Sequence, residues 1–188
     1  MAHRGVRITH DKLVGILANV KLLTGKEVLV GITAEKDARQ AEPGEKAPAA
    51  GNALIGYVME TGLPEKNIPQ RSFLVPGVQN NQDRNIKRLR EAGINALDGE
   101  IRKMLAQFEA IGLETQASVQ KKITSGPFAP LSPRTIAARA RRGRQGAIKY
   151  LQEIKAGRTP SGDLVKPLID TGQLRQAITY VVVDRGAH

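Results

Sequence analysis

The chain has 188 residues, with 29 Lys and Arg against 18 Asp and Glu, and a formal net charge of +11. It has no Cys, which excludes disulfides and thiolate metal sites. Aromatic residues make up only 3% and Trp is absent, so no stacking platform for single-stranded nucleic acid is offered and the core must be Leu, Ile, Val and Ala.

This length suits a single domain spanning 1–188, enough to bury roughly 70% of its unfolded surface on folding. Residues 1–8 are basic and read as loose. From Thr9 to Leu23, the positions Leu13, Ile16, Leu17, Val20 and Leu23 fall on one helical face, with Thr9 as a cap and Gly25 as a stop. Glu27 to Thr33 reads as a strand with Val28, Val30 and Ile32 on one face. Residues 34–51 hold Ala, Glu, Lys and Pro with almost no large apolar side chain, and read as a mobile loop. Such a loop is either a plain linker or an arm that orders on subunit assembly. Asn52 can cap a short helix to Thr61 with Leu54, Ile55 and Val58 inward, ended by Gly62. In the next segment Phe73 is a natural anchor, and Arg71 is either an inter-subunit contact or a solvated arginine.

Gln79 to Ser125 is predicted to be mostly helical. Ile86 and Leu89 begin it, and Ile94, Leu97, Ile101, Leu105, Phe108, Ile111, Thr115, Val119 and Ile123 continue a core-facing stripe. Gly93, Gly99 and Gly112 predict a bend or break at one of them. Ser125-Gly126-Pro127 stops the helix, and Ser132 with Pro133 starts another. A basic helical insertion is expected over 134–158, broken at Gly143 and Gly146. Its Arg139, Arg141, Arg142 and Arg144 read as exposed, fold-neutral charges available to an anionic partner, with the charge spread around the helix and not focused into a stripe that reads bases. Asp170-Thr171-Gly172 supplies turn chemistry, and Ala177 to Val183 reads as a strand that pairs with an earlier one.

Catalytic signatures are missing. The three His sit at 3, 10 and 188, there is no His-Glu-x-x-His pattern, and Thr24-Gly25-Lys26-Glu27 lacks the remainder of a phosphate-binding loop. The chain is therefore expected not to be an enzyme and to need no cofactor or metal. No run of 18 apolar residues and no leader pattern is present, so no membrane span or signal peptide is expected.

Three stretches carry a likeness. Ile68-Pro69-Gln70-Arg71-Ser72-Phe73-Leu74, then Pro130-Leu131-Ser132-Pro133-Arg134-Thr135, then Pro167-Leu168-Ile169-Asp170-Thr171-Gly172-Gln173-Leu174-Arg175 resemble, in order, motifs of the tailed-phage tail-completion and neck proteins, the virion morphogenesis family. Ser72 stands where that pattern usually has Pro. The likeness runs from about Val28 to Val183. It implies an α+β fold, a small mainly antiparallel sheet packed against long helices, and assembly roles for Ile68, Pro69, Arg71, Phe73, Leu74, Pro130, Leu131, Asp170, Thr171, Gly172, Leu174 and Arg175. It further implies a structural virion protein, made in the host bacterial cytoplasm and located at the neck. There it would form a homo-oligomeric ring, a hexamer by expectation, that completes the tail and meets the head connector or adaptor and the tail-tube or terminator proteins. DNA would pass through such a ring without sequence readout. The alternative is a nucleic-acid-binding protein without sequence preference that uses the basic segment 134–158.

Overall fold

The computed structural model describes residues 12–41, 48 and 50–186. The expected Thr9 cap, the basic start of the chain, His3, His10 and His188, and residues 42–47 and 49 of the expected mobile loop lie outside the described residues. The fold is α+β, with many helices and, among the described residues, one small antiparallel pair of strands. In chain order the elements are α1 Leu13–Thr24, β1 Lys26–Gly31, α2 Ala34–Asp37, α3 Asn52–Thr61, α4 Leu74–Gln79, α5 Gln82–Leu97, α6 Ile101–Ser125, α7 Pro133–Arg141, α8 Gln145–Lys155, α9 Gln173–Ala177 and β2 Thr179–Asp184. Short 3-10 turns occupy Pro64–Lys66 and Gly162–Val165.

The chain forms two compact units, each assembled from distant segments. Among the described residues the first comprises 12–29, 83–112 and 181–186. Its core is Ala92 and Ala96 of α5 against Met104 and Phe108 of α6, with Leu23, Val28 and Val182 packed around them. The Asn19 amide donates to the Ala96 carbonyl at 3.1 Å. At the strand ends the Arg185 amide donates to the Gly25 carbonyl at 2.7 Å, and Lys26 pairs with Asp184 at 2.7 Å.

The expected helical stripe divides here. Its α6 portion is buried as expected, whereas Ile94 and Leu97 of α5 are exposed, as are Ile86 and Leu89. The face of α5 that turns inward presents small residues, Ala92 and Ala96, which let a neighbouring backbone come close. Counting large apolar side chains therefore points to the wrong face. Likewise α1 has no buried residue, although Leu13 and Leu17 share its apolar stripe. The expected break between the long helices occurs at Gly99, whose φ of +79° is a conformation that L side chains rarely adopt.

Among the described residues the second unit comprises 30–41, 48, 50–82 and 113–180. One core cluster joins Phe73, Val119, Ile123, Leu168, Leu174 and Ile178, and a second joins Ile136, Ala147 and Val165. The short α4 was not apparent from the sequence, because Pro76 and Gly77 argue against a helix there. Gly77 is needed for close contact. A Cβ at this position would lie 2.7 Å from Val119 Cα, and Ser118 donates to the Gly77 carbonyl at 2.7 Å.

The stretch expected to be a mobile loop is in part an ordered, docked segment. Ala34–Asp37 forms α2, and the Asp37 carboxylate accepts from the Ala53 amide at 2.7 Å, serving as a remote cap for α3. Asn52 is the first residue of α3 and is not its cap. Its Nδ2 donates back to the Lys36 carbonyl at 3.0 Å. Gln40 and Gln173 exchange hydrogen bonds of 2.9 and 3.1 Å. Apolar composition gave no sign of this because the segment is held by polar contacts.

Candidate functional site

Within the second unit, the three stretches that carried the likeness are tied together by arginines. Arg71 is buried and is not a solvated arginine. Its Nε donates to the Ala129 carbonyl at 2.8 Å and its second guanidinium nitrogen to the Pro130 carbonyl at 3.0 Å. The first stretch thereby fixes the start of the second. Burial pulls the Arg71 pKa below that of a free guanidinium.

Arg139 makes the next link. It is 8% exposed, so the expectation of an exposed, fold-neutral charge is corrected. One of its nitrogens donates to the carbonyls of Lys166 at 2.8 Å and Ile169 at 3.0 Å, and another to that of Pro167 at 3.0 Å. A planar fork with five donors is suited to gathering several carbonyls of one loop. Burial lowers the Arg139 pKa, Asp170 opposes that, and Arg142, Arg144 and Arg71 add to the lowering.

Asp170 collects the remaining charge. Arg144 Nε lies 3.0 Å from one carboxylate oxygen, Arg142 lies 3.0 Å from the other, and Arg139 Nε approaches at 3.5 Å. Helical spacing from α7 into the turn before α8 brings these three arginines to one carboxylate. Arg141 of the expected quartet makes no ion pair among the described residues and stays exposed on the helix. Arg139, Arg142 and Arg144 thus meet an anion within the chain itself.

The rest of the third stretch builds the turn that presents Asp170. Gly172 takes a φ of +80°, Thr171 Oγ1 accepts from the Gln173 amide at 3.3 Å, and Leu174 is buried in the core while Arg175 is exposed. In the first stretch, Ile68 bridges to Leu63, Pro69 is exposed, Phe73 is the anchor of the core at 2% exposure, and Leu74 packs against it. Pro130 is exposed and Leu131 packs beside Ile136. Ser132 caps α7 as expected, accepting from the Thr135 amide at 3.2 Å.

The sequence reading overlooked Glu60. At the end of α3 its carboxylate accepts from the amides of Phe73 and Leu74 at 2.8 Å, from the Val75 amide at 3.1 Å and from the Ser72 hydroxyl at 2.6 Å. It closes the open N-terminus of α4. Burial alone would raise its pKa, but the Ser72 hydroxyl and the amides of Leu74, Phe73 and Val75 outweigh burial and hold it below the ordinary 4.5. Ser72, where the family pattern has Pro, is thus a donor to this cap.

Beside Asp170 lies a cavity of about 210 Å³ lined by Arg39, Asn52, Met59, Arg142, Leu168 and Leu174, among others. Arg39 and Asn52 were also missed, since Arg39 falls in the stretch read as a loop. Among the described residues no group of His, Asp and Glu could hold a metal ion, and no helix is long and apolar enough to cross a membrane. No protein-family model matches the chain, and no curated protein or solved structure matches it significantly.

Proposed function

We propose that this chain is a structural subunit of a tailed-phage neck, forming a homo-oligomeric ring that completes the tail and meets the head connector. The observation that carries this reading is α1. Leu13, Val14 and Leu17 are 58%, 78% and 59% exposed, and no residue of the helix is buried. On α5, Ile86, Leu89, Ile94 and Leu97 are also exposed, between 41% and 60%. Exposed apolar faces on two helices of one small unit are what a subunit keeps for its neighbours, and heterologous contacts that close by rotation give rings.

The mutual engagement of the three motif stretches supports the same reading, because it gives each motif a physical task. Arg71 holds the second stretch, and Arg139 and Asp170 hold the third. The rival reading, a nucleic-acid binder without sequence preference, draws on the net charge of +11. It loses force where Arg139, Arg142 and Arg144 are spent on Asp170 and backbone carbonyls. Negative-stain imaging of the purified chain in the absence of DNA separates the two. Closed rings are expected, and monomers that bind duplex DNA would favour the rival.

A further inference from the structure

The cavity beside Asp170 holds more positive charge than the fold neutralises. Arg39, Arg139 and Arg142 line it with a single carboxylate, that of Asp170, and three cations against one anion leave an excess of two. Arg39 is half-buried, and no hydrogen bond or ion pair engages its guanidinium among the described residues. Arg139 feels the excess. Burial lowers its pKa first, and of the charges around it Asp170 opposes this while Arg142, Arg144 and Arg71 add to it. An anion placed among these groups relieves their mutual repulsion.

The same walls demand a hydrogen-bond donor. Asn52 is 3% exposed and lines the cavity. Its Nδ2 donates to the carbonyls of Lys36 at 3.0 Å and Ala38 at 3.4 Å, which fixes the orientation of the amide. Its Oδ1 is left buried without a partner among the described residues. Orphaned buried acceptors are rare, and only an N–H or O–H group satisfies one. A cationic donor would be repelled by the arginines, and an oxyanion without a proton has nothing to offer Oδ1. An oxyanion that retains an O–H group meets both demands.

Size and charge select among such ions. The cavity, about 210 Å³, lies below the roughly 300–1,000 Å³ of typical small-molecule sites and holds several water volumes of about 30 Å³ each. A small tetrahedral ion suits it better than a nucleotide. Near neutral pH hydrogen phosphate carries two negative charges and one O–H, which matches the excess of two and the one orphaned acceptor. At equal distance each of the three guanidinium groups attracts this dianion as strongly as the one carboxylate repels it. Sulfate has the same shape and charge but no proton. Phosphate monoesters lose their last proton at about pH 6, so at higher pH they too lack the donor. Hydrogencarbonate keeps a proton and carries only one charge.

We propose that this cleft binds inorganic phosphate as hydrogen phosphate, its unprotonated oxygens accepting from Arg39 and its O–H donating to Asn52 Oδ1. The site is argued from the residues of this chain and does not depend on ring assembly. The test is isothermal titration calorimetry on the full chain at pH 8 and constant ionic strength, with phosphate, sulfate, methyl phosphate and hydrogencarbonate as separate titrants. Saturable binding is expected for phosphate, tighter than for each of the others by at least about tenfold, since each lacks either the donor or the second charge. Arg39→Gln should weaken phosphate binding by about tenfold or more. It should leave the melting temperature in phosphate-free buffer unchanged, because the Arg39 guanidinium holds nothing in the fold. The proposal is overturned by absent phosphate binding, by sulfate or hydrogencarbonate binding as tightly as phosphate, or by an indifferent Arg39→Gln variant. Methyl phosphate binding as tightly as phosphate would also overturn it, and would make the cleft a site for a phosphorylated group.

Discussion

Replacing Arg139 by Met keeps much of its volume and removes its charge and all of its donors. The carbonyls of Pro167 and Ile169 then lose the donor that Arg139 supplies in a half-buried loop, and that of Lys166 keeps only the Ile169 amide at 3.2 Å. Arg142 and Arg144 remain to neutralise Asp170, so the loss falls mainly on the carbonyls. A hydrogen bond from a charged group contributes about 1.5–3 kcal/mol, and breaking a buried charged cluster costs about 3–5 kcal/mol. Taking ~3–5 kcal/mol, at ~2–4 °C per kcal/mol for a protein of this size, the melting temperature should fall by roughly 6–20 °C. Arg139→Lys should recover less than half of the loss, because a single ammonium cannot gather the same carbonyls. Arg141→Met, on the exposed side of the same helix, should stay within about 0.5 kcal/mol of the parent. Urea and thermal unfolding at pH 7, followed by circular dichroism, measure all three variants. A stability of Arg139→Met within about 1 kcal/mol of the parent would refute the idea that this arginine holds the loop.

Gly77→Ala should destabilise by about 1–3 kcal/mol, since the added Cβ would meet Val119 backbone at 2.7 Å, and the same unfolding assay reads it. Glu60 gives a pH signature. Its pKa is lowered in the folded state, so its contribution is present above the ordinary carboxylate value of 4.5 and is lost as pH falls through the lower folded value. The parent should therefore be more stable than Glu60→Gln at pH 7, with the gap closing as the pH is taken toward 3. A gap independent of pH would show that the carboxylate charge does not hold the start of α4.

Much of the architecture was legible because it follows from local chemistry. Ser132 with Pro133 starts α7, one of the three glycines expected to break the long helix, Gly99, does so, Gly172 turns with positive φ, and the apolar run after Ala177 becomes β2. Phe73 was legible as an anchor because a lone large aromatic among small residues is buried. Burial of the arginines was not legible. Nothing in the spacing of Arg139, Arg142 and Arg144 says that Asp170, far along the chain, will meet them, and Arg71 meets carbonyls that any sequence would supply. Helix faces were misjudged where the inward residues are alanines, as on α5. Docking of residues 34–40 escaped because hydrogen bonds to Asn52, Ala53 and Gln173 leave no trace in hydropathy.

The most direct measurement of the proposed role is the assembly state of Leu13→Ser combined with Leu17→Ser. Both side chains are more than half exposed, while α1 packs on the core of its unit through Leu23, so the fold should keep its melting temperature. Sedimentation velocity on parent and double variant at equal concentration should show the parent as a closed oligomer and the variant as a monomer. A parent that sediments as a monomer at every concentration, or a variant that assembles as the parent does, would contradict a ring built on this face.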